Sequence, residues 1–187
     1  MLQVTPEEFV ERNLAMPGHI ILSNRPGTWL ARAINGAQAA ASGQVEVWQH
    51  AMRMGRDGLV ISQESTKQAL PLSHWKGARL KIWRNGAYTE KMLNSLVDMD
   101  EARLGTKYDY PGTFFQLLTV IPWVGDWLAA RADVPWRNFC SEGVCEVERR
   151  VSPQFGGSGA CQISPARIDA WCAAHPPLWK SFMVELV

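Results

Sequence analysis

VEVWQHAMRMGRDGLVIS, Val45 to Ser62, is the stretch on which the fold turns. Val45–Met54 and Leu59–Ser62 are rich in strand formers and flank Arg56-Asp57-Gly58, whose Asp-Gly step is a strong short-range hairpin signal. An antiparallel pair is expected, with His50 on its first strand. Ninety positions downstream, NFCSEGVCEVERR (138–150) places Cys140 where an amphipathic helix should begin. A helix N-terminus favours a thiolate and an imidazole accepts its proton, so these two segments carry the parts of a cysteine nucleophile.

Around this pair the chain alternates helix and strand signals. Thr5-Pro6-Glu7-Glu8 reads as an N-cap, a first-position proline and acids facing the helix dipole, with the helix over by Pro17-Gly18. His19–Ser23 is a short apolar strand, and Gly27–Ala41 is helical until Gly43. Ala78–Arg84 sets Leu80 and Ile82 against Arg79, Lys81 and Trp83, which predicts one solvated face. Met92, Leu93, Leu96, Val97 and Met99 repeat at helical spacing within Tyr88–Leu104, and Gly105 ends the run. Ser164-Pro165 opens a last helix through Ile168 and Trp171. The sum is an α+β domain spanning residues 1–187, with a small antiparallel sheet packed against helices, which lie at both ends of the chain.

Composition narrows the function classes. The 187 residues, 47% apolar and 20% charged, suit one packed domain. Nineteen basic against 18 acidic side chains leave a net charge of +1, too little field to gather nucleic acid or anionic lipid. The apolar stretch Phe114–Ala130 is interrupted by Gln116, Pro122, Gly125 and Asp126, so no integral membrane segment is expected; Pro122, Trp123 and Trp127 read as a packed insert or a lid. MLQVTPEEFVERN lacks the apolar core of a Sec signal, which predicts a cytoplasmic protein, or one delivered outside the cell by a phage particle or a non-Sec secretion system. Cys140, Cys145, Cys161 and Cys172 form no C-x-x-C pair and are expected reduced. Cys172 with His175 gives a C-x-x-H fragment that supplies only two ligands, so no metal and no cofactor is expected.

Strand periodicity suggests the partner of the imidazole. With a three-residue loop centred on Arg56, His50 and Ser62 are directly opposed on one face; a strict two-residue Asp57-Gly58 turn would bring Ser65 opposite instead. Glu64 shares the face of Ser62, whereas Gln63 points away. A carboxylate or amide usually orients a catalytic imidazole, so Glu64 supplements or replaces the uncharged Ser62.

The order GHIIL (18–22), QHAMRMGRDGLVIS (49–62), ARLKIWR (78–84), LGTKYDY (104–110), NFCSEGV (138–144) and ISPARI (163–168) resembles the circularly permuted NlpC-type papain-like proteins, the YaeF/YiiX group related to lecithin-retinol acyltransferase. In that group the catalytic histidine precedes the nucleophilic cysteine, as His50 precedes Cys140 here. The resemblance spans about residues 18 to 170 and implies Cys140 as nucleophile, His50 as base, and an amide bond as the target. It also implies a substrate-binding role for Tyr108, whose hydroxyl would help hold the substrate carbonyl. Two departures stand out. Gly18-His19 replaces the usual Gly-Asp, and Ser62 stands where the group usually has glutamate or histidine.

The expected activity is therefore that of a thiol hydrolase acting on a peptide or acyl substrate, peptidoglycan stem peptides among them. A lipid or ester acyl hydrolase or acyltransferase on the same site, and a non-catalytic module that keeps the fold, are the rival readings. The other candidates read as structural. Cys145 belongs to the core, His74 and His175 pack beside tryptophans, and Glu142, Glu146, Glu148, Arg149 and Arg150 form a solvated helix face.

Overall fold

The computed structural model describes residues 1–25, 48–107, 140–157 and 164–187. The expected helix at Gly27–Ala41, the apolar insert with Trp123 and Trp127, Tyr108 and Cys161 lie outside these residues. In chain order the elements are β1 (Leu2–Val4), α1 (Pro6–Glu11), β2 (Ile20–Asn24), β3 (His50–Met54), β4 (Leu59–Gln63) and β5 (Lys67–Pro71). A 3₁₀ turn (Leu72–Trp75), β6 (Arg79–Asn85), α2 (Glu90–Glu101), α3 (Cys140–Val151), α4 (Pro165–Ala173) and β7 (Trp179–Leu186) follow.

Local chemistry sets the helix starts. The Thr5 hydroxyl accepts from the Glu8 N–H while the Glu8 carboxylate accepts from the Thr5 N–H, a reciprocal capping box ahead of Pro6. Thr89 caps α2 through the Met92 N–H, and Ser164 caps α4 through the Arg167 N–H.

One seven-stranded sheet, ordered β1-β7-β6-β2-β3-β4-β5, joins the described strands. It is mixed, because β1 runs parallel to β7 while every other neighbouring pair is antiparallel. The small antiparallel sheet expected from the sequence is thus larger and of mixed direction. The chain ends are also strands and not helices: β1 and β7 pair with each other, and α1 follows β1.

Both faces of the sheet are covered. Ile21, Met52, Val60, Leu80 and Ile82 pack with Val4 and Phe9 on one side. Ile20, Leu22, Ala51 and Trp83 pack with Val144 and Cys145 of α3 and Ile168 and Cys172 of α4 on the other. A strand buried on both sides has no reason to alternate, which is why β2 reads as an unbroken apolar run. For the same reason β6 lacks the solvated face predicted for it: Trp83 is 4% exposed, and Lys81 bonds Asp169 of α4. No helix among the described residues is long and apolar enough to cross a membrane.

Candidate active site

The site begins with the β3–β4 hairpin. Asp57 and Gly58 both take positive φ, 54° and 73°, and the Leu59 N–H bonds the Arg56 carbonyl, so they form the two-residue tip of a primed turn. The Gly55 N–H then bonds the same residue on the other side, Leu59, at 2.9 Å. Gly55 and Arg56 together face Leu59, a bulge that offsets the register by one residue. A side chain at Gly55 would meet the Leu59 carbonyl and Ile61 at 3.1–3.4 Å, so the bulge is suited to glycine.

The resulting pairs are Met54↔Val60, Arg53↔Ile61 and Met52↔Ser62. Neither register considered from the sequence is the one adopted. Ser62 opposes Met52, and His50 is its diagonal neighbour on the same face. The diagonal is still bridged: His50 Nε2 lies 2.6 Å from Ser62 Oγ. Ser62 Oγ in turn donates to Glu64 Oε1 at 3.0 Å, while Glu64 Oε1 is 3.6 Å from His50 Nε2. Gln63 points away, as expected, and its amide donates to the Thr106 carbonyl.

Ending the ladder at Met52↔Ser62 leaves room for a sulfur. Along β3 the N–H groups alternate in direction, and the Met54 N–H bonds the His19 carbonyl beside β2, so the Ala51 N–H points toward β4. Beyond the last β4 pair that N–H has no strand partner, and it is directed at Cys140, the first residue of α3. Cys140 is 7% exposed and lies beside the His50 side chain, which acts on its thiol by charge and hydrogen bonding. With Nε2 engaged by Ser62, Nδ1 is the ring nitrogen left for the thiol.

Electrostatics favours charge separation between the two. Burial raises the Cys140 thiol, but the His50 charge, its hydrogen bond and the N–H groups of Ala51 and Ser141 outweigh burial and bring it below the ordinary thiol value. Burial likewise lowers His50, and the Cys140 charge and hydrogen bond, with Glu64 adding to them, raise it overall. Each group thus moves toward the other, the thiol downward and the imidazole upward.

Three residues along the same strand, Arg53 anchors a cluster that sequence reading missed. Its guanidinium, fully buried, bonds Asp100 of α2 at 2.5 Å, Glu148 of α3 at 2.6 Å and the Gly18 carbonyl at 2.8 Å. Lys67 also pairs with Asp100, and the Tyr88 hydroxyl donates to Glu148 at 2.8 Å. Glu148 therefore does not belong to the solvated face assigned to it from the sequence; it is 0% exposed, because α3 lies between β3 and α2 and needs an inward anion to meet Arg53. An arginine inside the apolar strand HAMRM was the available signal, since a buried guanidinium requires partners.

A second hub lies behind the site. Asp169 accepts from the indole nitrogens of Trp48 at 3.2 Å and Trp83 at 2.7 Å and from Lys81. This fixes Trp48, two residues before His50, against α4. The remaining candidates have packing roles. Cys145 and Cys172 are fully buried, His74 packs edge-on to Trp75, and His175 stacks on Trp171 and bonds its carbonyl. Among the described residues no three His, Cys, Asp or Glu side chains are grouped to hold a metal ion. His19, at the first departure from the family pattern, is buried and accepts the Met16 N–H at Nδ1; burial, then Arg84 and Arg53, lower it to about 4.

No protein-family model matches the chain, and no curated protein matches its sequence. Among solved structures it is similar to the metalloprotein YiiX from Escherichia coli O157:H7, described as DUF1105. The TM-score is 0.55 at 16% identity, covering 92% of this chain and 98% of that one. The two share an α+β fold of YiiX type, which agrees in fold with the group suggested by the sequence motifs.

Proposed function

We propose that this protein is a permuted papain-like thiol hydrolase that cleaves an amide bond through an acyl-enzyme. The apposition of Cys140 at the start of α3 with His50 on β3, the thiol lowered and the imidazole raised by one another, is the observation that carries the reading. The thiolate attacks the carbonyl carbon, and the His50 imidazolium gives its Nδ1 proton to the departing amine. Water then loses a proton to His50, attacks the thioester and releases the carboxylic acid, returning the sulfur to its resting state. The N–H groups at the start of α3 point out of the helix and are suited to meet the oxyanion.

The order of histidine before cysteine, the motifs from GHIIL to ISPARI and the YiiX-type fold support this class together. The substrate suggested by the family resemblance is a peptide, with peptidoglycan stem peptides as the leading group. A peptide of another origin is the alternative within the same chemistry. The word metalloprotein in the neighbour's description is not carried over, because the donor set here is a nucleophile and its base, with Nε2 already given to Ser62.

Site-resolved alkylation of Cys140 by iodoacetamide across pH tests the reading. A thiolate that persists well below pH ~8.5, the value of a free cysteine, is expected. Reactivity rising only near that value would mark a non-catalytic module, and a Cys140→Ala protein that still hydrolysed peptides would refute the nucleophile.

A further inference from the structure

The family resemblance implies a glutamate or histidine next to the imidazole, and this chain has a serine there. We infer that Ser62 and Glu64 act together as a two-step positioning relay, in which the Ser62 hydroxyl passes the pull of the Glu64 carboxylate to His50 Nε2 and thereby fixes which ring nitrogen faces Cys140. This deepens the hydrolase reading and rests on it.

The argument follows from counting protons. A hydroxyl has one proton and an ionised carboxylate has none. Ser62 Oγ lies 3.0 Å from Glu64 Oε1, so the serine proton is committed to that bond. At the 2.6 Å contact with His50, Ser62 can then only accept, and Nε2 must carry hydrogen. In neutral His50 the Nε2–H form leaves Nδ1 bare toward the thiol, which is the state a general base needs. In the imidazolium Nε2 donates unchanged, so the relay holds the ring through both protonation states while only the Nδ1 proton moves.

Burial divides the work between the two residues. Ser62 is 1% exposed, which keeps water from competing for Nε2. The Glu64 side chain is 38% exposed and 3.6 Å from Nε2, too long for a direct hydrogen bond. An exposed carboxylate on its own would swing away; its bond to a buried hydroxyl gives it a fixed address. Among the described residues, the charged groups facing the ring are Cys140 from α3 and Glu64 from the segment after β4.

Two readouts on the full-length chain need no known substrate. The first is the pH profile of Cys140 alkylation by iodoacetamide, resolved by peptide mass. In the hydrolase reading a thiolate–imidazolium pair spans the interval between loss of the Cys140 proton and loss of the His50 proton, so weakening the relay should narrow that window from its alkaline side. Glu64→Gln should lower the upper boundary by somewhat under one pH unit, the size of a unit charge about 4 Å away screened as in water. Ser62→Ala should lower it at least as far, and Ser62→Thr, which keeps the hydroxyl, should restore it. The second readout is the ¹⁵N signature of the His50 ring in Cys140→Ala protein at alkaline pH. Nε2–H should dominate there, and adding Ser62→Ala should give a tautomer mixture.

If the unsubstituted chain shows the low-pH thiolate but Ser62→Ala and Glu64→Gln leave both readouts unchanged, the relay is refuted and the hydrolase stands. A Ser62→Thr variant that behaves like Ser62→Ala also refutes it. If the unsubstituted chain shows no low-pH thiolate, the hydrolase reading itself has failed.

Discussion

Strand β3 presents two very different polar sites three residues apart. At Arg53 all the charges are spoken for: two cations, Arg53 and Lys67, meet two carboxylates, Asp100 and Glu148, with Tyr88 adding a donor. The facing carboxylates hold Arg53 above its ordinary value, while burial pushes the Glu148 carboxyl up against the Arg53 charge and the bonds from Arg53 and Tyr88. At His50 the facing group is a thiol whose charge and that of the ring favour one another, and in the proposed hydrolase a proton passes between sulfur and nitrogen. One cluster bolts α3 to β3; the other uses the alignment that the bolt provides.

Substitutions at each end should therefore fail in different currencies. The largest expected effect is on the reactive pair, where His50→Ala should reduce hydrolysis of a responsive peptide by roughly 10²–10⁴-fold while the denaturation midpoint moves little. A large loss of stability with activity intact would break the contrast. Arg53→Met should do the reverse and destabilise by about 3–5 kcal/mol in urea melts, because Asp100 and Glu148 would stay buried without their cation. Adding Asp100→Asn and Glu148→Gln should recover part of that loss.

His19 sharpens the comparison from a third direction, as an imidazole kept neutral. Its folded value of about 4 lies below the unfolded 6.5, so between them the unfolded chain binds a proton that the folded chain does not. Stability should fall as pH drops through this window, by about 3 kcal/mol in all. His19→Asn, which can still accept the Met16 N–H, should flatten that part of the urea-melt pH profile. The smallest effect is expected for Tyr88→Phe, which removes one donor from buried Glu148 and should cost about 1–2 kcal/mol without changing the Cys140 alkylation profile. A changed profile would mean that the two ends of β3 are less separate than their geometry indicates.

Much of this could be read locally. Thr5 with Glu8, Ser164 with Pro165, and the Asp57-Gly58 tip each carry their own structural instruction within a few residues, and each forms as expected. β5 and β7 lie outside the strands expected from the sequence. Lys67–Pro71 alternates weakly on an edge, with charge at its one buried position, whereas Phe182, Val184 and Leu186 do carry the strand period. Lys81 on β6 and Glu148 on α3 depart from the solvated faces expected for them for a common reason: a polar side chain turns inward where a buried partner of opposite charge waits, Asp169 for Lys81 and Arg53 for Glu148.

By itself the sequence determined the hairpin, the capped helices, an imidazole early on a strand and a thiol at a helix start, because these depend on backbone preferences over a handful of neighbours. The tertiary structure alone decided that a bulge at Gly55 would shift the register, that the ladder would stop at Ser62, and that the Ala51 N–H would find sulfur. Periodicity tells a residue which way to face. What waits on that side, and whether it completes a charge or opens a reactive gap, is fixed only when segments distant in the chain pack together.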